Sequence, residues 1–334
     1  MLGIILIKMA DTLLVCIHTA GCPNTCRHCY REGGRIKKRR LMDFNVVNSI
    51  LCRLDGTRGL RYSIGAAGEE PTYYADLIPL LELINSMPHF EKENLMSTNG
   101  WGIARDPTLA KKLKNLGIDT VDMTLFGLKE THDWFAQRKG AFTDLLVAAE
   151  HCAEVGLRVE WKIMLHKRNI HEIDAMERLL KGRGRLRGYF LAEPDGRGQT
   201  NQADLIEWSD ISALPVNVLE NIQSNFTDLA NIPNCSVCMK RKFPTVYIEH
   251  SGETYYRWQS LEHYSHLNCL GNIFQQDINE IIHRTKRMEL FRILCQVSLR
   301  DLCGKYGRKG DEIHGKCNLH KRWISQYLAD SGRL

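Results

Sequence analysis

The chain has 334 residues, of which 43% are hydrophobic and 25% are charged, a balance typical of a soluble folded protein. This length predicts one large α/β domain with a smaller appended one. The formal net charge of +6 is mild, and the basic runs at 35–40 and 181–188 lack the aromatic residues that a nucleic-acid groove requires. We therefore interpret these runs as solvated surface and expect no nucleic-acid partner. An anionic small molecule, cofactor or acidic peptide is the alternative ligand for them.

The amino-terminal segment is apolar, but its pattern is not that of a signal sequence. Lys8 and Asp11 interrupt the apolar run, no small-residue cleavage site follows it, and Val15 stands before Cys16 where a lipoprotein signal has a small residue. The sequence contains no run of about 18 or more apolar residues, so we expect no membrane span. It predicts a cytoplasmic protein whose twelve cysteines are reduced.

Apolar runs of strand length alternate with segments of helical period up to about residue 200. The predicted strands are 13–18, 60–66, 94–98, 119–125, 158–165 and 187–192. The predicted helices lie near 43–53, 73–86, 107–116, 142–155 and 171–181. This alternation predicts an α/β fold with a parallel sheet closed as a partial (β/α)6 TIM barrel.

Polar, glycine-rich loops follow the predicted strands. A cysteine triplet follows the first, and GAAGEEPT, TNGWG, FGLKETHDWFAQRKG and EPDGRGQ follow the second, third, fourth and sixth. Because chemistry in such folds gathers at the carboxyl ends of the strands, we expect these loops to form one site.

Charged residues also alternate with apolar ones along two of the strands. Glu160 and Lys162 share one face of the fifth strand, and Asp122 shares a face with Thr124 on the fourth. Since helices should cover the apolar faces, the charged side chains are expected inside the barrel. They suit either a polar substrate or an internal Lys–Glu ion pair.

The cysteine triplet, Cys22-x3-Cys26-x2-Cys29, offers three thiolates without a fourth local cysteine. His28 or His18 could complete a four-ligand zinc site, which stays an alternative. A [4Fe-4S] cluster held by three thiolates would instead leave one iron open for a cofactor or substrate.

The same spacing after the first strand of a βα barrel resembles the signature of radical S-adenosylmethionine (radical SAM) enzymes. The segment GEEPT at 68–72 resembles their G-G-E-P element, with Glu69 where the second glycine is usual, and STNG at 97–100 is similar to their third-strand ending. The region from Met123 to Phe142 resembles the one after their fourth strand. The resemblance implies cofactor contacts by His28, Gly68, Glu69, Glu70, Thr98, Asn99, Thr124 and Arg138.

The resemblance also implies a reaction. Cys22, Cys26 and Cys29 would hold a [4Fe-4S] cluster, and its reduction would cleave bound S-adenosylmethionine to a 5′-deoxyadenosyl radical that takes hydrogen from a peptide or small-molecule substrate. An electron donor of the flavodoxin or ferredoxin type is implied as a partner.

The sequence after residue 200 loses the strand–helix alternation and becomes rich in cysteine. We expect a radical SAM partial barrel over 1–200 and a small cysteine-rich α+β domain over 201–334, which resembles the SPASM or twitch extensions of this superfamily. Arg257, Ser298 and Gly307 stand where that pattern has cysteines. One auxiliary iron–sulfur cluster, zinc or no metal all remain open, with a ligand pool of Cys235, Cys238, Cys269, Cys303 and Cys317.

We therefore predict an enzyme of the radical SAM superfamily that modifies peptides or natural products. A non-enzymatic iron–sulfur or zinc protein, acting in binding or electron transfer, is the alternative. Transfer of a methyl or aminocarboxypropyl group from the same cofactor is a third reading, which its products would distinguish.

Overall fold

The computed structural model describes most of the barrel region and parts of the tail. The described residues are 13–17, 19, 21–29, 41–55, 57, 60–63, 70–88, 90–193, 201–223, 226, 228–232, 245–249, 251–256, 269–284, 296–308, 310–313 and 316–332. The strands are β1 (Leu13–Ile17), β2 (Leu60–Tyr62), β3 (Phe90–Lys92), β4 (Leu95–Ser97), β5 (Thr120–Leu125), β6 (Arg158–Leu165), β7 (Arg185–Leu191), β8 (Thr245–Ile248), β9 (Glu253–Tyr256) and β10 (Cys269–Asn272).

The α-helices include all those that the sequence predicted, and several more. They are α1 (Phe44–Leu54), α2 (Leu77–Ser86), α3 (Trp101–Arg105), α4 (Pro107–Asn115), α5 (Lys129–Ala136), α6 (Ala141–Glu154), α7 (Ile173–Leu180), α8 (Trp208–Ile211), α9 (Val216–Gln223), α10 (Ile278–Arg284), α11 (Leu299–Tyr306) and α12 (Lys316–Asp330). Short 3-10 turns cover Pro71–Tyr73, Ile170–Glu172, Gln202–Asp204 and Asp311–Ile313. Helix α5 lies in a segment that we predicted as loop.

The strands form two sheets that meet at one short stretch of chain. One sheet has the order β10-β9-β8-β1-β2-β3 and the other has the order β4-β5-β6-β7, and the barrel strands pair in parallel. Between β3 and β4, the Glu93 amide donates to Tyr62 O at 2.9 Å, and Asn94 O accepts from the Asp119 amide at 2.8 Å. This stretch links both sheets, and the mixed α/β fold confirms the predicted class.

The carboxyl-terminal strands extend the barrel sheet. β8 pairs in parallel with β1, and β9 and β10 continue from it in antiparallel order. The division of the chain near residue 200 stays a prediction. No helix among the described residues is long and apolar enough to cross a membrane.

The apolar faces of the central strands form the core, as their alternation predicted. Val121, Met123 and Leu125 on β5 are fully buried, as are the corresponding residues Trp161 and Ile163 on β6. The opposite face of the sheet is therefore the inner face of the barrel, and it carries the polar residues of the same strands.

Glycine is required where α3 begins beside the turn at Pro71–Tyr73. The Gly102 amide donates to Thr72 Oγ1 at 2.9 Å. A Cβ atom at position 102 would lie 2.6 Å from both the Cβ and the carbonyl oxygen of Thr72. These two loops therefore pack together only because residue 102 lacks a side chain.

Substitution of this glycine tests the packing. Gly102→Ala is expected to lower the free energy of unfolding by about 1–3 kcal/mol, because the added methyl group overpacks the contact with Thr72. Gly304→Ala is the matched control, since Gly304 also lies in a helix and its Cβ would meet nothing within 4 Å among the described residues. Urea unfolding of both variants measures the difference, and equal stabilities would contradict the close contact.

Candidate cofactor site

The loop that carries the three cysteines is attached to the end of helix α5. The Thr25 amide donates to Ala136 O at 3.1 Å, and the Arg27 amide donates to Phe135 O at 2.9 Å. These carbonyls belong to the last turn of α5, where a helix leaves its carbonyl groups without intrahelical partners. The helix that the sequence did not predict thus holds the cysteine loop in place.

The three thiols of the triplet are partly exposed. Within the described part of the chain, Cys22, Cys26 and Cys29 form no disulfide, and the Cys29 amide donates to Cys26 O at 3.2 Å in a tight turn. Burial raises the pKa of the Cys22 thiol to about 12, and the neighbouring Glu70 carboxylate adds to the rise. A metal ion that binds at Cys22 would therefore have to displace a proton from this thiol.

The described side chains do not form a site for a single metal ion. Within the described ranges, no three side chains of His, Cys, Asp or Glu converge so as to hold one metal ion. Thiolate ligands of a [4Fe-4S] cluster bind different irons, so they have no need to converge on one point.

A buried carboxylate, Glu70, joins the loops around the cysteines. Its Oε1 accepts from the Thr72 amide at 3.1 Å, from Thr72 Oγ1 at 2.5 Å and from Thr98 Oγ1 at 2.6 Å. Its Oε2 accepts from the Asn99 amide at 2.5 Å, while its own amide donates to Gly21 O at 3.0 Å. Burial raises the pKa of Glu70, and these hydrogen bonds oppose the rise. Both carboxylate oxygens are thus committed to the neighbouring loops.

Asn99 connects the loop after β4 directly to the cysteine loop. Its Nδ2 donates to Cys22 Sγ at 3.4 Å, and its Oδ1 accepts from the Trp101 amide at 3.1 Å. Thr98 Oγ1 accepts from the Gly100 amide at 3.0 Å, and Gly100 has a positive φ of 80°. The predicted site residue Asn99 therefore lies beside Cys22, and Thr98 lies beside Glu70.

Arg138 reaches the cysteine loop from the turn after α5. Its Nε donates to Asn24 Oδ1 at 2.6 Å, and its Nη1 pairs with Asp144 Oδ2 at 2.6 Å. Its Nη2 is buried and has no hydrogen-bond partner among the described residues. The Arg138 charge also acts to lower the pKa of Cys22, against the larger effect of burial. One donor of this guanidinium is therefore available close to the thiols.

His28 belongs to the cysteine loop, and its ring is buried against helix α5. Its side chain is 1% exposed, its ring stacks on Phe135 with centroids 5.5 Å apart, and its Nδ1 donates to Glu193 O at 3.4 Å. Burial lowers the pKa of His28. Phe135 in turn stacks on Phe126 and His166, at 4.4 and 4.8 Å, so one face of the His28 ring is part of an aromatic stack.

Thr124 lies on the inner face, opposite Lys162 in the β5–β6 register. Lys162 Nζ pairs with Asp122 Oδ2. The predicted Lys–Glu pair is therefore wrong. Lys162 and Glu160 are two residues apart on β6. Asp122, on β5, lies diagonally opposite Lys162 in the β5–β6 register, where a lysine side chain can reach it.

Several predicted site residues are not described by the structure. Gly68, Glu69, Cys235 and Cys238 lie outside the described residues, and for Cys317, in α12, only the backbone is described. Cys269 is exposed at the start of β10, and Cys303 is half-buried on α11. Burial raises the pKa of Cys303, with Asp311 and Glu312 adding to the rise. The auxiliary ligand set stays a prediction.

Sequence reasoning missed four residues that shape the site. Thr72 contacts Glu70, and Phe135 contacts His28. Asn24 and Asp144 both contact Arg138. Thr72 and Asn24 adjoin recognised motifs, so their positions gave a signal. Phe135, on α5, lies far along the chain from His28, and Asp144, on α6, follows Arg138 by six residues. No sequence pattern marks either residue as part of the site.

The first half of the chain is similar in sequence to known proteins. Residues 16–180 match the family model of the radical SAM superfamily. The chain is 31% identical over 165 residues to Fe-coproporphyrin III synthase of Methanosarcina barkeri, covering 49% of this chain and 39% of that protein. It is 28% identical over 156 residues to a probable GTP 3′,8-cyclase of Sulfurisphaera tokodaii, covering 46% and 47%. The chain thus spans less than half the length of these curated relatives.

Solved structures share the fold over a longer stretch. Native anSMEcpe with bound AdoMet and Cp18Cys peptide has a TM-score of 0.62 at 16% identity, covering 96% of this chain and 97% of that one. Streptococcus suis SuiB bound to its precursor peptide SuiA has a TM-score of 0.56 at 13% identity, covering 92% and 76%. The cysteine triplet, the barrel strands and the matched region agree, and residues 16–180 of this chain form a radical SAM domain.

Proposed function

We propose that the protein is a radical SAM enzyme in which Cys22, Cys26 and Cys29 ligate a [4Fe-4S] cluster with one open iron. A [4Fe-4S] cluster held by these residues would, once reduced, supply the electron that cleaves S-adenosylmethionine and so allows hydrogen to be taken from a substrate. The protein supplies the ligands, the cofactor contacts and a site from which water is largely excluded.

The unpartnered Arg138 Nη2 is the observation that carries this proposal. A buried guanidinium donor without a partner is costly, so its presence points to a ligand with a complementary oxygen. The carboxylate of S-adenosylmethionine is such a ligand, and Arg138 lies close enough to the thiols for its charge to act on Cys22. Three thiols and an orphaned cationic donor therefore fit a cluster together with this cofactor.

The other predicted residues either hold the surrounding loops in place or are proposed to contact the cofactor. The Glu70 carboxylate is committed to Thr72, Thr98 and Asn99, so its backbone is the part left for the methionine ammonium. Gly68 and Glu69, on the resemblance, contribute to the same backbone edge. Thr124 faces the barrel interior, where it suits a contact with the cofactor ribose or carboxylate. His28 is proposed to lie next to the adenine, with Phe135 supporting its ring.

The substrate is proposed to be a peptide, with a small molecule as the second candidate. Peptide is favoured because two structures that share this fold, anSMEcpe and SuiB, were solved with bound peptides. The relatives named for Fe-coproporphyrin III and GTP favour a small molecule. A flavodoxin or ferredoxin is proposed as the electron donor, and one auxiliary iron–sulfur cluster in the tail is proposed from its cysteines.

Loss of a cluster ligand tests the proposal. After anaerobic reconstitution and dithionite reduction, the wild type is expected to hold at least about four irons per chain and to form 5′-deoxyadenosine. Cys26→Ala should abolish that product, because the site loses one of its three thiolates. Cys52→Ala, at an exposed thiol on α1, is the matched control and should retain it. Fully loaded wild-type protein that forms no 5′-deoxyadenosine would refute the proposal in favour of a non-enzymatic binding protein.

The role of Arg138 is tested by a second pair of variants. Arg138→Gln is expected to weaken S-adenosylmethionine binding about tenfold or more with unchanged iron content, because a charge-assisted hydrogen bond is lost. Arg105→Gln is the control, since Arg105 also pairs with Asp144 Oδ2, at 2.9 Å, from a more exposed position. Anaerobic calorimetry measures both affinities. Equal affinities in the two variants would remove Arg138 from the cofactor site.

A further inference from the structure

The inner face of β5, β6 and β7 carries charges that the cofactor contacts above do not use. We call Asp122, Glu160, Lys162, Arg185 and Arg187 the inner charge cluster. Lys162 pairs with Asp122, and Arg187 Nη1 lies 3.8 Å from both Asp122 Oδ2 and Glu160 Oε2. Arg185 Nη1 lies 3.8 Å from Glu160 Oε1. Three cations thus face two carboxylates on the inside of the barrel.

A bulge in β7 places Arg187 beside the inner charge cluster. Trp161 pairs with Leu186, but the next residue of β6, Lys162, pairs with Gly188, so β7 carries one extra residue, Arg187. In a regular strand Arg187 would share a face with Arg185 and lie directly opposite Lys162, but here Gly188 takes that place. Bulges redirect side chains and are common beside active sites, so this one is a feature that places Arg187 over the cluster.

The ion pairs within the cluster do not use all of its hydrogen-bonding groups. Asp122 is 4% exposed, and its Oδ1 is buried without a hydrogen-bond partner among the described residues. The Arg187 contacts of 3.8 Å are longer than hydrogen bonds, and half of its side chain is exposed. A purely structural ion-pair network would use these groups, because buried polar atoms normally find partners. The cluster therefore has both an acceptor and cationic donors left over.

The inner charge cluster also lies next to a residue that is proposed to contact the cofactor. Lys162 is opposite Thr124, the residue proposed to contact the cofactor, and Asp122 lies two residues earlier on β5, about 7 Å away along the strand. Phe190, 40% exposed, has its ring centroid 5.8 Å from Lys162 Nζ. An aromatic surface thus adjoins the charges on the side toward the strand ends.

We infer that the inner charge cluster binds the substrate, and that this substrate carries a carboxylate beside an N–H donor, as an acidic residue of a peptide does. Arg187, assisted by Lys162, binds the carboxylate, since a guanidinium fork matches its two oxygens. Asp122 Oδ1 accepts from the N–H group, and Phe190 packs against the adjoining apolar part. Identification of this ligand as the substrate rests on the proposed function.

The test uses reconstituted protein with S-adenosylmethionine and fluorescent tripeptides as probes. Gly-Glu-Gly is expected to bind about tenfold or more tightly than Gly-Gln-Gly, and Arg187→Gln should remove this preference because it removes the charged donor. Arg183→Gln is the matched control, since Arg183 lies just before β7 and pairs with Glu150 instead, at 2.6 Å. It should keep the preference. A preference that is absent from the wild type, or that survives in Arg187→Gln, would overturn the inference.

Two further probes separate the parts of the inference. A tripeptide with an N-methylated glutamate lacks the N–H donor and should bind several-fold more weakly than Gly-Glu-Gly. Inorganic phosphate should compete only weakly. If phosphate displaces the peptide at concentrations close to the dissociation constant of the peptide, the site binds anions in general. The assignment to an acidic peptide is then wrong.

Peptide binding and cofactor cleavage are measured on the same wild-type sample, so the two proposals fail separately. Formation of 5′-deoxyadenosine without a preference for the glutamate probe overturns the substrate inference alone. The preference without any 5′-deoxyadenosine leaves an acidic-ligand site and overturns the enzymatic proposal alone.

Discussion

The arrangement of the site depends on the buried carboxylate of Glu70. Removing a carboxylate from water costs several kcal/mol unless the charge is compensated. Here four hydrogen bonds from Thr72, Thr98 and the Asn99 amide compensate it, each contributing about 1.5–3 kcal/mol when the acceptor is charged. Because these donors come from two loops while the Glu70 amide binds Gly21, the cysteine loop and the loops after β2 and β4 are fixed relative to one another.

A second constraint is the division of each central strand into an apolar outer face and a polar inner face. The outer residues of β5 and β6 are buried under the helices, which leaves Asp122, Thr124, Glu160 and Lys162 inside. The chemistry proposed at the thiols needs a substrate held in the barrel beside the cofactor. The same alternation that builds the core therefore also supplies the polar surface that such a substrate would contact.

The sequence was sufficient for features that depend on local pattern. Alternating strands such as 158–165 and the spacing of Cys22, Cys26 and Cys29 can be recognised without any knowledge of tertiary contacts. Helix α5 was missed because its residues, KETHDWFA, are mostly polar, and strand β3 because it has only three residues, two of them charged. In both segments, tertiary hydrogen bonds and packing outweigh the local preference.

The motifs around the candidate site could be recognised in the sequence, but the contacts that support them could not. Glu70 could be assigned to the candidate site from its motif, but its hydrogen bonds with Thr98 and Asn99 depend on residues about thirty positions away in the chain. The Lys162–Asp122 pair and the β7 bulge likewise depend on strand register, which a single sequence does not specify. Residues that support a site through distant contacts thus become visible only in the folded chain.

The proposed function requires that the thiolates of Cys22, Cys26 and Cys29 leave one iron open for S-adenosylmethionine. Its most direct test is the electron paramagnetic resonance spectrum of the reduced, reconstituted protein before and after addition of the cofactor. Binding at the open iron should change the g-values of the reduced cluster, since the cofactor becomes one of its ligands. An unchanged spectrum from protein with a full complement of iron would contradict the claim.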